Sequence, residues 1–390
     1  MRVLSLILMI FLIPDLALSQ YRITSVPVLI EPLDTRYYST GNAMVSFINS
    51  GGGNYINPAT LDHNGIPTIK YFLDTFGTNQ DVIEIRLQNF YTGASFGNFD
   101  ISLSYLDLRS SFSEEAIVLS EPYKDNVIKI TGAYIFKNGL RAGFGVNYLK
   151  SDIGNEQVYV DREYNPAKSV FFDLGIQYHK TYPYRDETWL LTPSYGLSLT
   201  NFGKAVSYYD GISDPLPTKL RMGTGMSVKY GQESFGLRPL EMNGSLAVSK
   251  FMVRNEMEMI ETNGRTDSVY VAMNPFKALI RSWGNYKWND GLEEQTATIV
   301  DQLIFHTGFE VIFYETLSIR VGYQKASEVN MPYTFQAGGF GINLGYLSFD
   351  YSEYFYPDGR GNDRGSTWNL TVRIPLNDKK PRSILNHILN

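Results

Sequence analysis

Residues able to do chemistry are few and scattered in this chain. The histidines His63, His179, His306 and His387 lie in separate segments, and no two sit at metal-ligand or i, i+4 spacing. His179, alone on a strand-like stretch, reads as a hydrogen-bonded wall residue. The chain has no cysteine, which removes thiolate metal sites and thiol nucleophiles. Gly339-Phe340-Gly341 begins like a dinucleotide fingerprint, but Leu344 stands where the third glycine is required. The stretch from Asp358 to Asp363 lacks the spaced carboxylates and closing Glu of a calcium loop, and Arg360 opposes a cation there. It reads as an external turn. Glu256, Glu258 and Glu261 read as a solvated strand end, and no Ser/His or Asp/His constellation is nominated. The expectation is a protein that is not an enzyme and uses no metal and no cofactor.

The remaining ionisable residues with a pattern sit on alternating segments. Leu140, Ala142, Phe144, Val146 and Tyr148 share one face, against Arg141, Gly143, Gly145 and Asn147 on the other. The same alternation sets Leu220, Met222, Thr224, Met226, Val228 and Tyr230 against Arg221, Gly223, Gly225, Ser227 and Lys229. It recurs over 172–179 and 368–374. Period-two alternation means strands with two unlike faces. The polar faces should carry Lys129, Arg141, Asp173, Arg221, Lys229, Glu310, Arg320, Asp350 and Arg373. Two roles fit such a set: a salt-bridged wall that fills an interior, or a conduit for a ligand. Mixed charge favours the wall.

What elements position these faces? Charged residues are 19% of the chain, below the roughly 25% of a typical soluble domain. Aromatics reach 14%, with 28 Tyr and 23 Phe against 4 Trp. A soluble sandwich also alternates. The small, mixed-charge polar face suits a crowded lumen better, and the apolar face ends in Tyr or Trp as an interfacial girdle does. The net charge of −6 argues against nucleic acid. Residues 1–19 read as a signal peptide, with Arg2, an apolar run from Val3 to Ile13 too short to span a bilayer, and small residues before Gln20.

Short connections at 137–139, 314–316, 343–345 and 96–98 alternate with long polar ones at 111–126, 152–167, 202–218, 255–301 and 356–365. That is the habit of an antiparallel transmembrane β-barrel, with short periplasmic turns and long external loops. Fourteen strands are expected, centred near Ile69, Leu87, Leu103, Ile130, Phe144, Leu174, Leu197, Thr224, Leu246, Gly308, Val321, Gly338, Phe349 and Leu370, with both ends periplasmic. The barrel should span 66–376, with a periplasmic tail at 377–390. Residues 20–65 are too irregular for a membrane strand and are expected to form an N-terminal plug. Within the loop 255–301, Pro275 to Trp283 reads as a short helix with Pro in its first turn, placing Phe276, Leu279, Ile280 and Trp283 on one face. That face packs on its own loop or meets a partner.

Three stretches carry a family resemblance. The first is Ser25 to Arg36, then Thr40-Gly41-Asn42-Ala43, then Asn57-Pro58-Ala59. The second is Leu199-Thr200-Asn201-Phe202-Gly203-Lys204 with Asp214 to Gly223. The third is Gly308-Phe309-Glu310 through Leu317 to Tyr323. Together they resemble the PorV/PorQ family, outer-membrane barrels related to the FadL long-chain fatty-acid channels. Thr35 and Thr40 depart from that family's usual Ala and Met, and the chain runs past its last strand without a terminal aromatic.

The resemblance implies location in the outer membrane of a Gram-negative cell and work beside the type IX secretion system. It implies binding of secretion-system proteins, or of the C-terminal domains of secreted cargo, at the outer face. Arg36, Gly41, Asn42, Asn57, Pro58 and Ala59 would then be the family-motif residues of the plug. A FadL-like channel for hydrophobic small molecules is the alternative. It needs an apolar pocket beside the plug and a kink or gap in one strand, and a polar, sealed lumen would count against it. Outer-membrane lipid is the remaining expected partner.

Overall fold

The structure is a computed structural model, and it describes residues 24, 26–30, 33–48, 53–63, 65–77, 83–112, 123–153, 164–233, 237–262, 265–289, 294–327, 334–356 and 364–374. The expected signal peptide, the tail 377–390, His387 and the turn 358–363 lie outside the described residues.

Fourteen antiparallel strands close into one ring. In chain order they are Thr68–Gly77, Ile83–Phe96, Phe99–Phe112, Lys124–Ile135, Leu140–Asp152, Ala167–His179 and Trp189–Gly203, then Lys219–Tyr230, Leu240–Phe251, Leu303–Phe313, Leu317–Ala326, Phe335–Asn343, Leu347–Phe355 and Arg364–Arg373. The first strand pairs with the last, Thr68 opposite Arg373, so no barrel edge is left open. Each of the fourteen expected centres falls inside one of these strands. The strands run from 9 to 15 residues, enough for a tilted strand to cross a bilayer. No helix is long and apolar enough to cross a membrane.

The outward face explains why the ring is stable only in lipid. Ile130, Phe144, Leu174, Leu197, Leu246 and Val321, from six different strands, are all exposed. Such a continuous apolar belt far exceeds the few hundred Å² that a soluble monomer exposes. Aromatic rings collect at the rim of short turns, where Tyr134 packs edge-on to Phe136 and Trp189 lies 4.4 Å from Tyr230. Interfacial girdles take this form. The protein is therefore a transmembrane β-barrel.

The inward face is layered. Towards the rim of long loops it is apolar: Phe72, Leu87, Leu106, Val127, Leu149 and Phe171 are buried there. Towards the turn rim it is polar and charged, with Lys70, Asp100, Arg141, Glu310 and Arg320 buried. The described residues of the N-terminal segment lie against both layers. Val26, Val28 and Leu33 join the apolar cluster. Tyr37, Met44, Val45, Phe47 and Ile56 form a second cluster further in. Inward glycines let the segment's backbone approach the wall: a Cβ at Gly143 would overlap Pro58 and Ala59, and one at Gly175 would overlap the Asn57 side chain.

The long connection after Phe251 is not the loop with a single helix that its sequence suggested. It holds two β-hairpins, Asn255–Thr262 with Arg265–Ala272 and Tyr286–Asn289 with Glu294–Ala297, flanking the helix Pro275–Arg281. Fully buried Arg254 ties them together. Its guanidinium donates to the carbonyls of Ser282 (2.8 Å) and Gly284 (2.8 Å) and to Gln302 Oε1 (3.0 Å), and it stacks over the Tyr286 ring.

Candidate functional site: a charged lumen and a bulge in the wall

The charged lumen resolves into separate knots, each joining the wall to the N-terminal segment. Arg36 donates to Glu310 from Nε (3.0 Å) and Nη2 (2.6 Å). Arg320 donates to the same carboxylate at 2.7 Å and reaches Asp350 at 2.7 Å. Asn243 Nδ2 adds a donor to Glu310 at 2.9 Å. Glu310 is thus fully buried yet held by two guanidiniums and an amide. Burial alone would lower the Arg36 pKa, but the Glu310 carboxylate outweighs it and keeps the guanidinium above its usual range. Asp34 caps the short helix Thr35–Ser39, accepting from Arg36 N at 2.8 Å, and also binds Lys70 of the first strand. Arg141 donates to the Ala59 and Leu61 carbonyls and pairs with Asp100 at 2.9 Å and Asp62 at 3.5 Å.

Asn57-Pro58-Ala59 forms a short 3-10 turn, with Asn57 as its cap. Asn57 Oδ1 accepts from Ala59 N (3.1 Å), and Nδ2 donates to the carbonyls of Val45 (2.9 Å) and Ile176 (3.1 Å). These three bonds tie the segment to itself and to the wall. Gly41 lies against the backbone of Tyr323, and Asn42 Nδ2 donates to Gln324 Oε1 at 3.0 Å. The six residues expected as a motif of the segment therefore all touch the inner wall or stabilise a turn that does.

Further towards the loop rim the wall slips register. Phe172 pairs with Phe202 but Leu174 pairs with Leu199, so the strand Trp189–Gly203 carries one extra residue. This β-bulge bends the wall and breaks the ladder locally. Asn201 occupies it with φ +59°, a left-handed conformation Asn tolerates better than most residues. Its N–H donates to Asp173 Oδ1 at 2.7 Å, and its Nδ2 donates to Leu29 O (3.0 Å) and Pro217 O (3.2 Å). Asp173 also pairs with Lys129 and accepts from Asn147 Nδ2 at 2.7 Å. Beside the bulge is a small cavity between the wall and the N-terminal segment, bordered by Val28, Leu29, Phe171, Lys129, Asn201 and Arg221. Apolar and cationic groups meet there, and in this state it is too small for a hydrocarbon ligand. Above the bulge the ladder resumes at Phe171 and Gly203, so the wall bends without opening.

Three residues of the expected charge network sit differently. Arg221 is buried, but its hydrogen bond goes to Thr200 Oγ1 (2.9 Å) and no carboxylate pairs with it among the described residues. Lys229 is half-exposed at the turn rim, bonded to Glu241 across the strand pair at 3.1 Å. Arg373 donates to Asn343 Oδ1 (3.1 Å) and Gly345 O (3.0 Å), bracing a turn. Each departs because pairing depends on depth in the barrel, which alternation does not encode. Sequence reasoning missed Asp34, Lys70, Asp62, Asp100, Glu241 and Arg254; their signal was burial or an ion pair between elements, both invisible without the folded barrel. A polar vestibule of about 310 Å³ opens between the Arg36–Glu310–Arg320 knot and the turn rim, bordered also by Lys229, Glu241 and Arg373.

The helix residues divide too. Phe276 and Ile280 are exposed, whereas Leu279 and Trp283 are half-buried, with Lys250 over the Trp283 ring. Among the histidines, His306 bonds Ser249 (2.8 Å) and the Gly41 carbonyl (2.9 Å), and the His179 ring lies 3.3 Å from the Gln177 amide. No group of His, Asp and Glu able to hold a metal occurs among the described residues.

No family model matches the chain, and no curated protein matches it. Similar solved structures include the toluene transporter TbuX of Ralstonia pickettii, with a TM-score of 0.44 at 11% identity over 89% of this chain and 97% of that one. The toluene transporter TodX of Pseudomonas putida gives 0.45 at 11% over 87% and 97%. A FadL homologue of Pseudomonas aeruginosa gives 0.42 at 12% over 93% and 99%. The PorV/PorQ resemblance rests on the residue stretches alone.

Proposed function

We propose that this barrel is an outer-membrane channel of FadL type for small hydrophobic molecules, held closed by its N-terminal segment acting as a plug. One observation carries this. The apolar layer of the lumen meets the bulge at Asn201, beside a cavity that the segment's own Val28 and Leu29 border. A hydrophobic solute entering from the loop rim would meet apolar wall first. A small displacement of Leu29 would enlarge the cavity next to a weakened stretch of wall, giving the solute a sideways route into lipid. The charged knots below would keep water and ions from following. The geometry meets the need for a bend in one strand; the cavity is mixed in character rather than wholly apolar.

The test is uptake. Cells displaying the protein should accumulate a hydrophobic fluorophore or a monoaromatic hydrocarbon faster than cells carrying an empty vector. Deleting Asn201, which removes the bulge, should return uptake to the vector rate. Equal uptake with and without the intact protein would sink the proposal.

A second function is favoured by a different feature: the subdomain 252–302, rigidly tied by Arg254 and standing above the loop rim. Together with the family-like stretches it suits an accessory barrel of type IX secretion that docks cargo or translocon there. Loss of the gene would then leave cargo in the periplasm, and normal surface display in the deletion strain would exclude this role.

A further inference from the structure

The helix Pro275–Arg281 is built inside out. Asn274 caps it, accepting from the N–H groups of Phe276 (3.0 Å) and Lys277 (3.4 Å), and Pro275 fills the first turn. Its inward positions are the small Ala278 and Ser282, both buried. Two of its three large apolar side chains point away from the protein, Phe276 70% and Ile280 62% exposed, while Leu279 is half-buried. They lie one turn apart and so share an edge.

That edge continues a surface already assigned to lipid. The Phe276 ring packs edge-on against Phe202 at 5.0 Å. Phe202 stands directly opposite Phe172 in the barrel wall. Phe172 faces outward and stacks on outward Phe144 at 5.9 Å. Two ring contacts joined by one cross-strand pairing thus lead from the helix into the bilayer-facing belt. The flanking residues Lys277 and Arg281 are exposed cations, Lys277 shared with Glu256 at 2.6 Å. A helix with an apolar edge and basic flanks is the pattern of an element lying in the plane of a membrane interface.

We propose that this helix is an interfacial anchor. Phe276 and Ile280 enter the lipid leaflet on the loop-rim side, and Lys277 and Arg281 sit at the level of its anionic phosphates. The anchor ties the external subdomain to the bilayer surface, so the subdomain leans over the wall near the bulge at Asn201 rather than standing free. This inference needs only that the barrel spans a membrane; it is independent of what the barrel conducts or docks.

The chain has no cysteine, so single spin labels can be placed without background. Phe276→Cys and Ile280→Cys would be labelled in the full-length protein reconstituted in phospholipid vesicles, with folding checked by heat-modifiable migration. Leu197→Cys in the belt and Met259→Cys on the exposed hairpin are the references. Labels at 276 and 280 should collide more with oxygen than with a water-soluble nickel chelate, between the two references. Nickel access equal to that at 259 would overturn the anchor. So would low access to both reagents, which would mean protein covers the edge. Adding anionic lipid should move the 276 label deeper, and Lys277→Gln with Arg281→Gln should abolish that shift. An unchanged depth in anionic vesicles would overturn the phosphate contact.

Discussion

Glu310 sits between Arg36 and Arg320, buried, with Asn243 completing its shell. Its value lies in what its loss would leave behind. Glu310→Gln would leave Arg36 without its carboxylate and Arg320 with Asp350 alone, and breaking one partner of a buried pair costs about 3–5 kcal/mol. Urea unfolding in detergent should show a loss of that order. Replacing Arg36 and Glu310 together by Met should cost less than the sum of the single changes, because the stranded charge goes with its partner. His63 makes a pH prediction. It is buried against Tyr91, whose hydroxyl lies 3.0 Å from Nε2, and its Nδ1 has no partner among the described residues. Burial pushes its pKa down to about 4, with Asp62 opposing and Arg141 reinforcing. The unfolded chain therefore binds a proton near pH 6.5 that the folded one refuses until about 4. The contribution is fully present above pH 6.5 and lost as pH falls towards 4. His63→Gln should flatten this part of the stability–pH curve, whereas an unchanged slope would assign it to other groups.

At the scale of elements, the 3-10 turn at Pro58–Thr60 and the wall are fitted backbone to backbone. Gly143 and Gly175 are where they touch. Gly143→Val should push the turn off the wall with the strands intact, since valine suits a strand. Trypsin would then cut at Arg36, which the folded lumen shields, and mass spectrometry of the fragments would show it. Continued protection would mean the segment finds another seat. The bulge can be weakened separately. Asn201→Gly keeps the left-handed backbone but removes the bonds to Leu29 O and Pro217 O. Losing such buried bonds costs about 1–3 kcal/mol, read as lower thermal stability and faster hydrogen exchange around Leu29.

At the scale of the whole molecule, the described N-terminal residues and the charged knots lie across the lumen beside the polar vestibule. The wild-type barrel should therefore pass no ion current in a planar bilayer. Gly143→Val should open measurable conductance, and combining it with Glu310→Gln should increase it. Steady current through the wild type would show that the segment does not seal the lumen. On the proposed channel function, hydrophobic uptake and ion current are separable, because one would use the apolar layer and the bend while the other needs the charged half to empty.

The strands and their number were legible in the amino-acid order because alternation is local. Whether Phe144 and Arg141 face opposite ways is decided by their spacing alone, and the same rule gave each of the fourteen centres. The crowding of the lumen was also foreshadowed by glycines on the polar faces, such as Gly143 and Gly175. Partners were not legible. Arg36 and Glu310 are 274 positions apart, and only ring closure brings them together. Closure also sorted the network by depth, leaving Arg221 with Thr200, Lys229 at the rim and Arg373 on a turn. The hairpins of 252–302 were hidden because their order comes from Arg254 and the elements it ties, not from their own weak periodicity. Residue spacing determined which way each side chain points; the tertiary structure alone decided what it meets, because contacts across a barrel depend on register and depth summed over all its strands.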